Sequence, residues 1–445
     1  MLDQIFKAYD IRGVYPQEIN ERVVADIVKA YVQIFQPKKV AVGRDVRLSG
    51  ESLKETAIDA LIGSGVDVVD VGVVSSDMLY FAVASKELDG GISITASHNA
   101  GEYNGIKLVG KGAEPISLNS GLDKIRDLIK EGRIEETSGE GAITKTELID
   151  EYLSKVLSFI NKKDVKTTRV VVNPNFGASG KVVEQLAKIL NLDLVKMNFE
   201  EDGSFPKGKP DPLLPENQKE TAELVVSSES SLGVSWDADA DRCFFFDEKG
   251  QFVPPYYVTA ILAKMMLQDN KGAAVVMDPR LVWATQDAVK EGGGLPVITR
   301  AGRSFVGQKM RESKAVFSGE ISGHYFFRDF FYCDNGMIPF LLILERLSRD
   351  KVSLSEIVEP YREKYPNSGE INYTVSDVSD IMQKIKDRFN DGELDTLEGI
   401  TVTYPNWRFN IRSSNTEPLV RLNVEAKDKN LMEEKVSEIT SLIEG

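Results

Sequence analysis

Three aspartates stand at alternate positions in Ser235-Trp-Asp-Ala-Asp-Ala-Asp-Arg, directly after a run that reads as a strand. In an extended segment alternate side chains point the same way, so Asp237, Asp239 and Asp241 are expected to converge. Converged carboxylates repel by roughly 4 kcal/mol per pair at about 4 Å and an effective dielectric near 20. A divalent cation relieves that repulsion, and hard oxygen ligands suit Mg2+, Mn2+ or Ca2+. The small alanines between the acids leave room for close approach, which argues against a merely solvated turn. An EF-hand loop counted from Asp237 would end on Glu248, but it would put Arg242 where the sharp turn wants glycine.

Other turns carry groups of the same kind. Gly90-Gly-Ile-Ser-Ile-Thr-Ala-Ser-His-Asn reads as a strand opening into a turn, and ligands of open α/β sheets sit beyond the carboxyl ends of strands. Ser97 is there either a reactive hydroxyl or an ordinary turn or capping residue, and the pattern leaves both open. It does not lie in the Gly-x-Ser-x-Gly elbow of hydrolases. Lys107 follows the tight turn Asn104-Gly105 and supplies a cation suited to a transferring phosphoryl group. Glu320, Ser322 and His324 alternate after another strand, where they form a sugar-hydroxyl site or a polar turn. Arg412, Ser413, Ser414, Asn415 and Thr416 crowd one loop, with Arg421 on the next strand. Guanidinium, hydroxyl and amide donors packed together make a phosphate cradle, the alternative being a capping loop. The chain has two histidines, His98 and His324, and both fall in these turns.

The elements that must position these groups alternate between strand and helix. Residues 38–45, 169–173 and 274–278 read as buried strands, followed by helices at 51–62, 180–190 and 281–291. The three strand openings resemble one another, at spacings of about 130 and 105 residues, longer than solenoid repeats. The reading is α/β: three related α/β domains with mixed sheets plus a small C-terminal α+β domain. The expected spans are 1–142, 143–251, 252–363 and 364–445, carrying the serine, metal, sugar and phosphate loops in turn. A linker is expected near 361–366.

Composition narrows the function class. A chain of 445 residues needs several cores. The net charge of −15 argues against nonspecific nucleic-acid binding, and it requires any anionic ligand to be held by a local basic cluster. No apolar run reaches the roughly 20 residues of a membrane span. Cys243 and Cys333 cannot build a disulfide framework, and the N-terminus lacks signal-peptide features, so a cytoplasmic location is expected.

Together these segments resemble the α-D-phosphohexomutase family, of the phosphomannomutase/phosphoglucomutase type. The matching motifs run in family order: Thr95-Ala-Ser-His-Asn, Asp237-Ala-Asp-Ala-Asp-Arg, Gly319-Glu-Ile-Ser-Gly-His and Arg412-Ser-Ser-Asn-Thr-Glu-Pro. Two flanking signatures agree, Ala8-Tyr-Asp-Ile-Arg-Gly and Phe205-Pro through Pro210-Asp-Pro-Leu-Leu-Pro-Glu-Asn. The resemblance implies that Ser97 carries a phosphoryl group beside Mg2+ held by Asp237, Asp239 and Asp241, with Ser97 itself as a further ligand through that group. Arg12, His98, Lys107 and Arg242 would surround it. Glu320 and Ser322 would bind sugar hydroxyls with His324 beside them, and residues 412–416 would grip the other phosphate. Arg280, Arg303 and Arg421 would join the substrate site. Arg303 departs from the Gly-His-Ser type sequence of the bacterial mannose/glucose enzymes, which leaves the sugar open, and Arg280 stands where they often carry Lys, which keeps the charge but not the geometry. The implied reaction interconverts hexose 1-phosphate and hexose 6-phosphate, of mannose or glucose, through hexose 1,6-bisphosphate. Partners would be small sugar phosphates, with no nucleic acid or membrane, on a monomer or homodimer. The alternatives are a phosphoglucosamine mutase, a metal-dependent sugar phosphatase using Ser97, and a noncatalytic sugar-phosphate sensor.

Overall fold

The computed structural model of the protein describes residues 2–135, 138–413 and 419–445. The chain gathers into two compact units, Met1–Phe252 with His324–Lys351, and Val253–Gly323 with Val352–Gly445.

In the first unit the strand Lys39–Arg44 lies between Asp67–Val73 and Gly90–Ile94, parallel to both. Tyr103–Gly110 pairs antiparallel to Gly90–Ile94, and Ile11–Val14 closes that edge. At the other edge Ile143–Lys145 adds in parallel, so this sheet runs three residues past the expected boundary at 142. The second sheet repeats the scheme. Arg169–Asn173 lies parallel to both Asp193–Lys196 and Leu232–Trp236, and Cys243–Phe246 turns back antiparallel. In the second unit Ala274–Met277 is likewise flanked in parallel by Leu295–Ile298 and Phe317–Gly319. The shared opening seen in sequence is therefore a shared position: each of the three strands is an interior strand, paired in parallel on both sides and buried, which is why each reads as a continuous apolar run.

Each of these strands leads into a helix, Gly50–Gly63, Gly180–Leu190 and Trp283–Glu291. The last begins two residues later than expected. The Glu425 carboxylate accepts from the amides of Val282 and Trp283 and fixes the start of the helix there. The C-terminal domain is an antiparallel sheet of Asn367–Thr374, Leu419–Ala426, Trp407–Ser413, Ile400–Thr403 and Glu393–Asp395. Helices Val378–Arg388 and Lys429–Glu444 cover it, each capped by an aspartate, Asp377 and Asp428. The linker is shorter than expected. A helix opened by a Ser353/Glu356 capping box runs from Leu354 to Lys364, holding Leu354, Ser355 and Val358 in the interior, so only residues 365 and 366 connect it to the next strand. Among the described residues no helix is long and apolar enough to cross a membrane.

Candidate active site

Ser97 stands one turn beyond the fully buried strand Gly90–Ile94. Its φ of 50° lies in the left-handed region, which costs energy for a residue with a Cβ. The side chain is 1% exposed, and Oγ sits 3.1 Å from His98 Nδ1 and donates to Asp237 Oδ2 at 2.9 Å. Arg12 borders the same turn. Its guanidinium holds Asp10 Oδ2 through two nitrogens, and NH1 reaches Asn99 Oδ1 at 2.7 Å and the Ala96 carbonyl at 3.2 Å.

The three carboxylates do converge, with one oxygen of each lying within 4.8 Å of the others, but the reason differs from the expected one. The strand Leu232–Trp236 ends before Asp237, and the acids occupy a turn closed by Ala240 N–H on the Asp237 carbonyl, with Ala240 at φ 55°. Strand alternation does not bring them together; the turn does. Lys107 Nζ meets Asp239 Oδ2 at 2.6 Å and Asp241 Oδ2 at 2.5 Å, and Ser76 Oγ donates to Asp239 Oδ2 at 2.6 Å. Arg242 donates its amide to Asp237 Oδ1 at 3.3 Å, and its Nε lies 3.6 Å from Asp237 Oδ2. His324 Nε2 lies 3.3 Å from Arg242 Nε and 3.5 Å from Asp241 Oδ1, so this histidine belongs to the unit of the acidic cluster and not to that of Glu320 and Ser322.

Burial sets the electrostatics. It pushes the Asp237 carboxyl well up, with Asp239 and Asp241 adding to it. Burial works the same way on Asp241, but Lys107, His324 and Arg242 outweigh it and hold that carboxyl well below its ordinary value. For Lys107 burial acts downward, yet Asp239 and Asp241 raise the ammonium well above its usual range. Burial, then Arg242 and Arg12, drive His98 far down, leaving a neutral imidazole beside Ser97. The cluster fits a hard divalent cation. Asp239 Oδ1 is buried without a hydrogen bond, the donors are all carboxylate oxygens, and Ser97 Oγ adjoins them.

The second unit brings together a different set. Asp278 grips Arg280 through Nε and NH2, both at 2.8 Å, and burial of that guanidinium is outweighed by Asp278, which raises it. Glu370 accepts from Arg412 NH2 at 2.7 Å and from Arg421 NH1 at 3.4 Å, and lies 4.0 Å from Arg280 NH1. Ser413 ends the strand and is exposed. Ser414, Asn415 and Thr416 lie outside the described residues. Glu320 Oε1 accepts from the Gly302 amide at 2.7 Å, and Ser322 Oγ donates to Glu320 Oε2 at 3.4 Å. Arg303 begins the helix Arg303–Ser313 directly after Gly302. Sequence reasoning missed Ser76, Asp278 and Glu370. Asp278 and Ser76 sit just past strand ends, which is a usable signal; Glu370 lies within a strand of alternating burial and gives none.

Family models for the phosphoglucomutase/phosphomannomutase alpha/beta/alpha domains I, II and III match residues 3–135, 150–250 and 254–365, and the model of the C-terminal domain matches 370–442. A phosphomannomutase of Vibrio cholerae is 41% identical over 98% of both chains. Phosphohexose mutases of Xanthomonas campestris are 42% identical over 99% of both. A solved phosphoglucomutase/phosphomannomutase family protein from Burkholderia thailandensis superposes with a TM-score of 0.86 at 30% identity, covering 99% of this chain and 96% of that one. With every domain matched in order, the chain belongs to the phosphoglucomutase/phosphomannomutase family of phosphohexose mutases.

Proposed function

We propose that this phosphohexose mutase acts on mannose and glucose phosphates, with Ser97 as a phosphoryl carrier reused in every cycle. The carrying observation is the 2.9 Å contact of Ser97 Oγ with Asp237 inside a buried carboxylate cluster ringed by cations. Phosphoryl transfer needs in-line positioning and charge neutralisation more than covalent help. Mg2+, held by Asp237, Asp239 and Asp241 with the phosphoryl group of Ser97, would supply that neutralisation.

Phosphoserine gives its phosphoryl group to the free hydroxyl of a bound hexose phosphate. The bond from phosphorus to Ser97 Oγ breaks, a bond to the sugar oxygen forms, and the sugar hydroxyl's proton ends on the freed Ser97 Oγ. Hexose 1,6-bisphosphate results, turns over in the site, and returns its other phosphoryl group to Ser97. Arg12 and Arg242 stabilise the transferring charge. Neutral His98, 3.1 Å from Ser97 Oγ, suits proton exchange with that oxygen. Lys107, kept charged by Asp239 and Asp241, acts as a counter-charge in this arrangement. The low exposure of Ser97 disfavours hydrolysis, which supports the mutase over the phosphatase. Glu320 and Ser322 would take the sugar hydroxyls, and Arg280, Arg303, Arg412, Arg421 and Ser413 the resting phosphate end. The Glu320-Ile-Ser-Gly-His form and the relatives named phosphomannomutase favour mannose and glucose over glucosamine.

The test compares mannose, glucose and glucosamine 1-phosphates, primed with glucose 1,6-bisphosphate and Mg2+. Mannose and glucose phosphates are expected to turn over, and Ser97→Ala to lose turnover while still binding sugar phosphate. Full activity of that variant refutes the carrier role, and stoichiometric release of free phosphate would favour the phosphatase.

A further inference from the structure

Arg47 is a residue the mutase chemistry does not explain. Its side chain is completely buried, yet it belongs to no sugar or metal loop. All five guanidinium donors are used. Nε donates to Asp45 Oδ2 at 3.1 Å. NH1 donates to the carbonyls of Ala100 at 2.7 Å and Tyr103 at 2.8 Å, and NH2 to those of Ser97 and Asn99, both at 2.7 Å. Four of the five acceptors are main-chain oxygens of the turn that carries Ser97.

Asp45 completes a clamp. Its Oδ2 also accepts from Thr95 Oγ1 at 2.7 Å, and Thr95 Oγ1 in turn accepts the Ser97 amide at 2.9 Å. The backbone of Ser97 is thus held at its N–H through Thr95 and at its carbonyl by Arg47, with both lines meeting on one carboxylate. Ser97 needs this. Its left-handed φ is unfavourable for serine and persists only where the surroundings over-determine it. In that conformation Oγ points at Asp237.

The Phe205-Pro signature, which the reaction left without a role, covers the same guanidinium. Phe205 is buried, and its ring centroid lies 5.0 Å from Arg47 Cζ. Gly203 forms a backbone bridge to Arg47, and a Cβ at Gly203 would stand 2.7 Å from Arg47 Cα and 2.1 Å from the Val46 carbonyl. The glycine allows the close approach that lets Phe205 exclude water from the clamp.

We infer that Arg47, with Asp45 and Thr95, is the positioning device that holds Ser97 in its strained, phosphoryl-accepting conformation, sealed by Phe205. It touches neither substrate nor metal. This inference rests on the reading of Ser97 as phosphoryl carrier.

The experiment measures phosphoryl uptake from glucose 1,6-bisphosphate onto Ser97 by rapid-quench intact-mass spectrometry, in the full chain with Mg2+. Lysine offers three tetrahedral donors and cannot serve five planar ones. Arg47→Lys is therefore expected to slow uptake about 100-fold, the effect of roughly 1 Å of misplacement at a reacting atom. Its dissociation constant for glucose 6-phosphate should change by less than about 3-fold, because binding does not require the Ser97 geometry. Added guanidinium ion should restore part of the rate to Arg47→Ala. Should the arginine variants fail to fold, Thr95→Val removes the amide half of the clamp and carries the same expected slowing. A folded Arg47→Lys or Thr95→Val that takes up phosphoryl at the wild-type rate overturns the inference, as does an equal loss of uptake and binding. Absence of uptake by the wild-type protein is a separate outcome: it removes the carrier reading, and the inference falls with it.

Discussion

Asp237→Asn is expected to stabilise the metal-free protein while abolishing turnover. The Asp237 carboxylate faces two others at 4.8 Å or less, each repelling it by at least about 3.5 kcal/mol at an effective dielectric near 20. Arg242, 3.6 Å away, returns about 4.6 kcal/mol of attraction on the same scale. Lys107 adds to that attraction, but the burial of the charge, with the two carboxylates, outweighs both cations and pushes the Asp237 carboxyl well up, so the charged form is disfavoured in the fold. The raised carboxyl also fixes the sign of the pH effect. The native state keeps a proton that the unfolded chain has released, so wild-type stability falls as pH rises toward the folded value. Asparagine has no such loss, and the advantage of the variant grows with pH. In urea unfolding with EDTA, the variant should therefore melt later than wild type. Mg2+ should reverse the order, since a cation at 100 times its Kd stabilises the wild type by about 2.7 kcal/mol and finds a ligand missing in the variant. A variant less stable than wild type in EDTA, or equal stabilisation of both by Mg2+, would refute the reasoning.

Two further perturbations follow from buried carboxylates outside the reacting centre. Asp77, which accepts from Tyr152 Oη at 2.5 Å and Asn335 Nδ2 at 2.7 Å, has its carboxyl pushed up to about 7 by burial, against its hydrogen bonds. The native protein holds that proton where the unfolded chain does not, so stability from this group is present near pH 4 and lost by about 1.36 kcal/mol per unit as pH rises to about 7. Urea midpoints across that range should show the slope in wild type and a flatter line in Asp77→Asn; an identical slope would refute it. Glu425, fully buried, accepts from Arg408 NH1 at 2.7 Å, Tyr256 Oη at 2.5 Å and the Val282 and Trp283 amides. Glu425→Gln leaves Arg408 charged and unpaired in the interior, at a cost of about 3–5 kcal/mol by urea unfolding, and adding Arg408→Met should recover most of it. A loss under about 1 kcal/mol for Glu425→Gln would refute that account.

Local signals carried the elements whose burial is local. The runs at 39–44, 169–173 and 274–277 are apolar because each is covered on both faces, and their positions were readable to within a residue or two. The acidic cluster was readable too, but its geometry was not. Spacing two suggested an extended strand, whereas the chain turns at Ala240, because converging three acids from a strand would leave them about two residue rises apart. Partners distant in sequence stayed hidden. Nothing near Arg47 announces four carbonyls between positions 97 and 103, and nothing near Trp283 announces a cap from Glu425. The linker expected near 361–366 falls largely in a helix, because Leu354 and Val358 anchor Leu354–Lys364, which carries Pro360 inside it.

If the second unit holds the resting phosphate, as proposed, its charge balance explains how so acidic a chain would receive a dianionic sugar phosphate. At net −15 a free basic patch would be partly neutralised by the background field, and three bare guanidinium groups would repel one another. Instead Asp278 orients Arg280 bidentately, and Glu370 spaces Arg412 from Arg421. Burial and then Arg280 weaken the hold of Arg412 on its proton. On the proposed reading, an arriving phosphate takes over the bonds of Glu370 to Arg412 and Arg421, while Arg280 need not move. The exchange replaces one carboxylate by a more highly charged group with more acceptor oxygens, so it favours phosphate over the carboxylates and chloride that surround the protein. On that reading the site would respond to the phosphate and not to the ring, the indifference that a phosphoryl carrier at Ser97, serving either end of one sugar, would require.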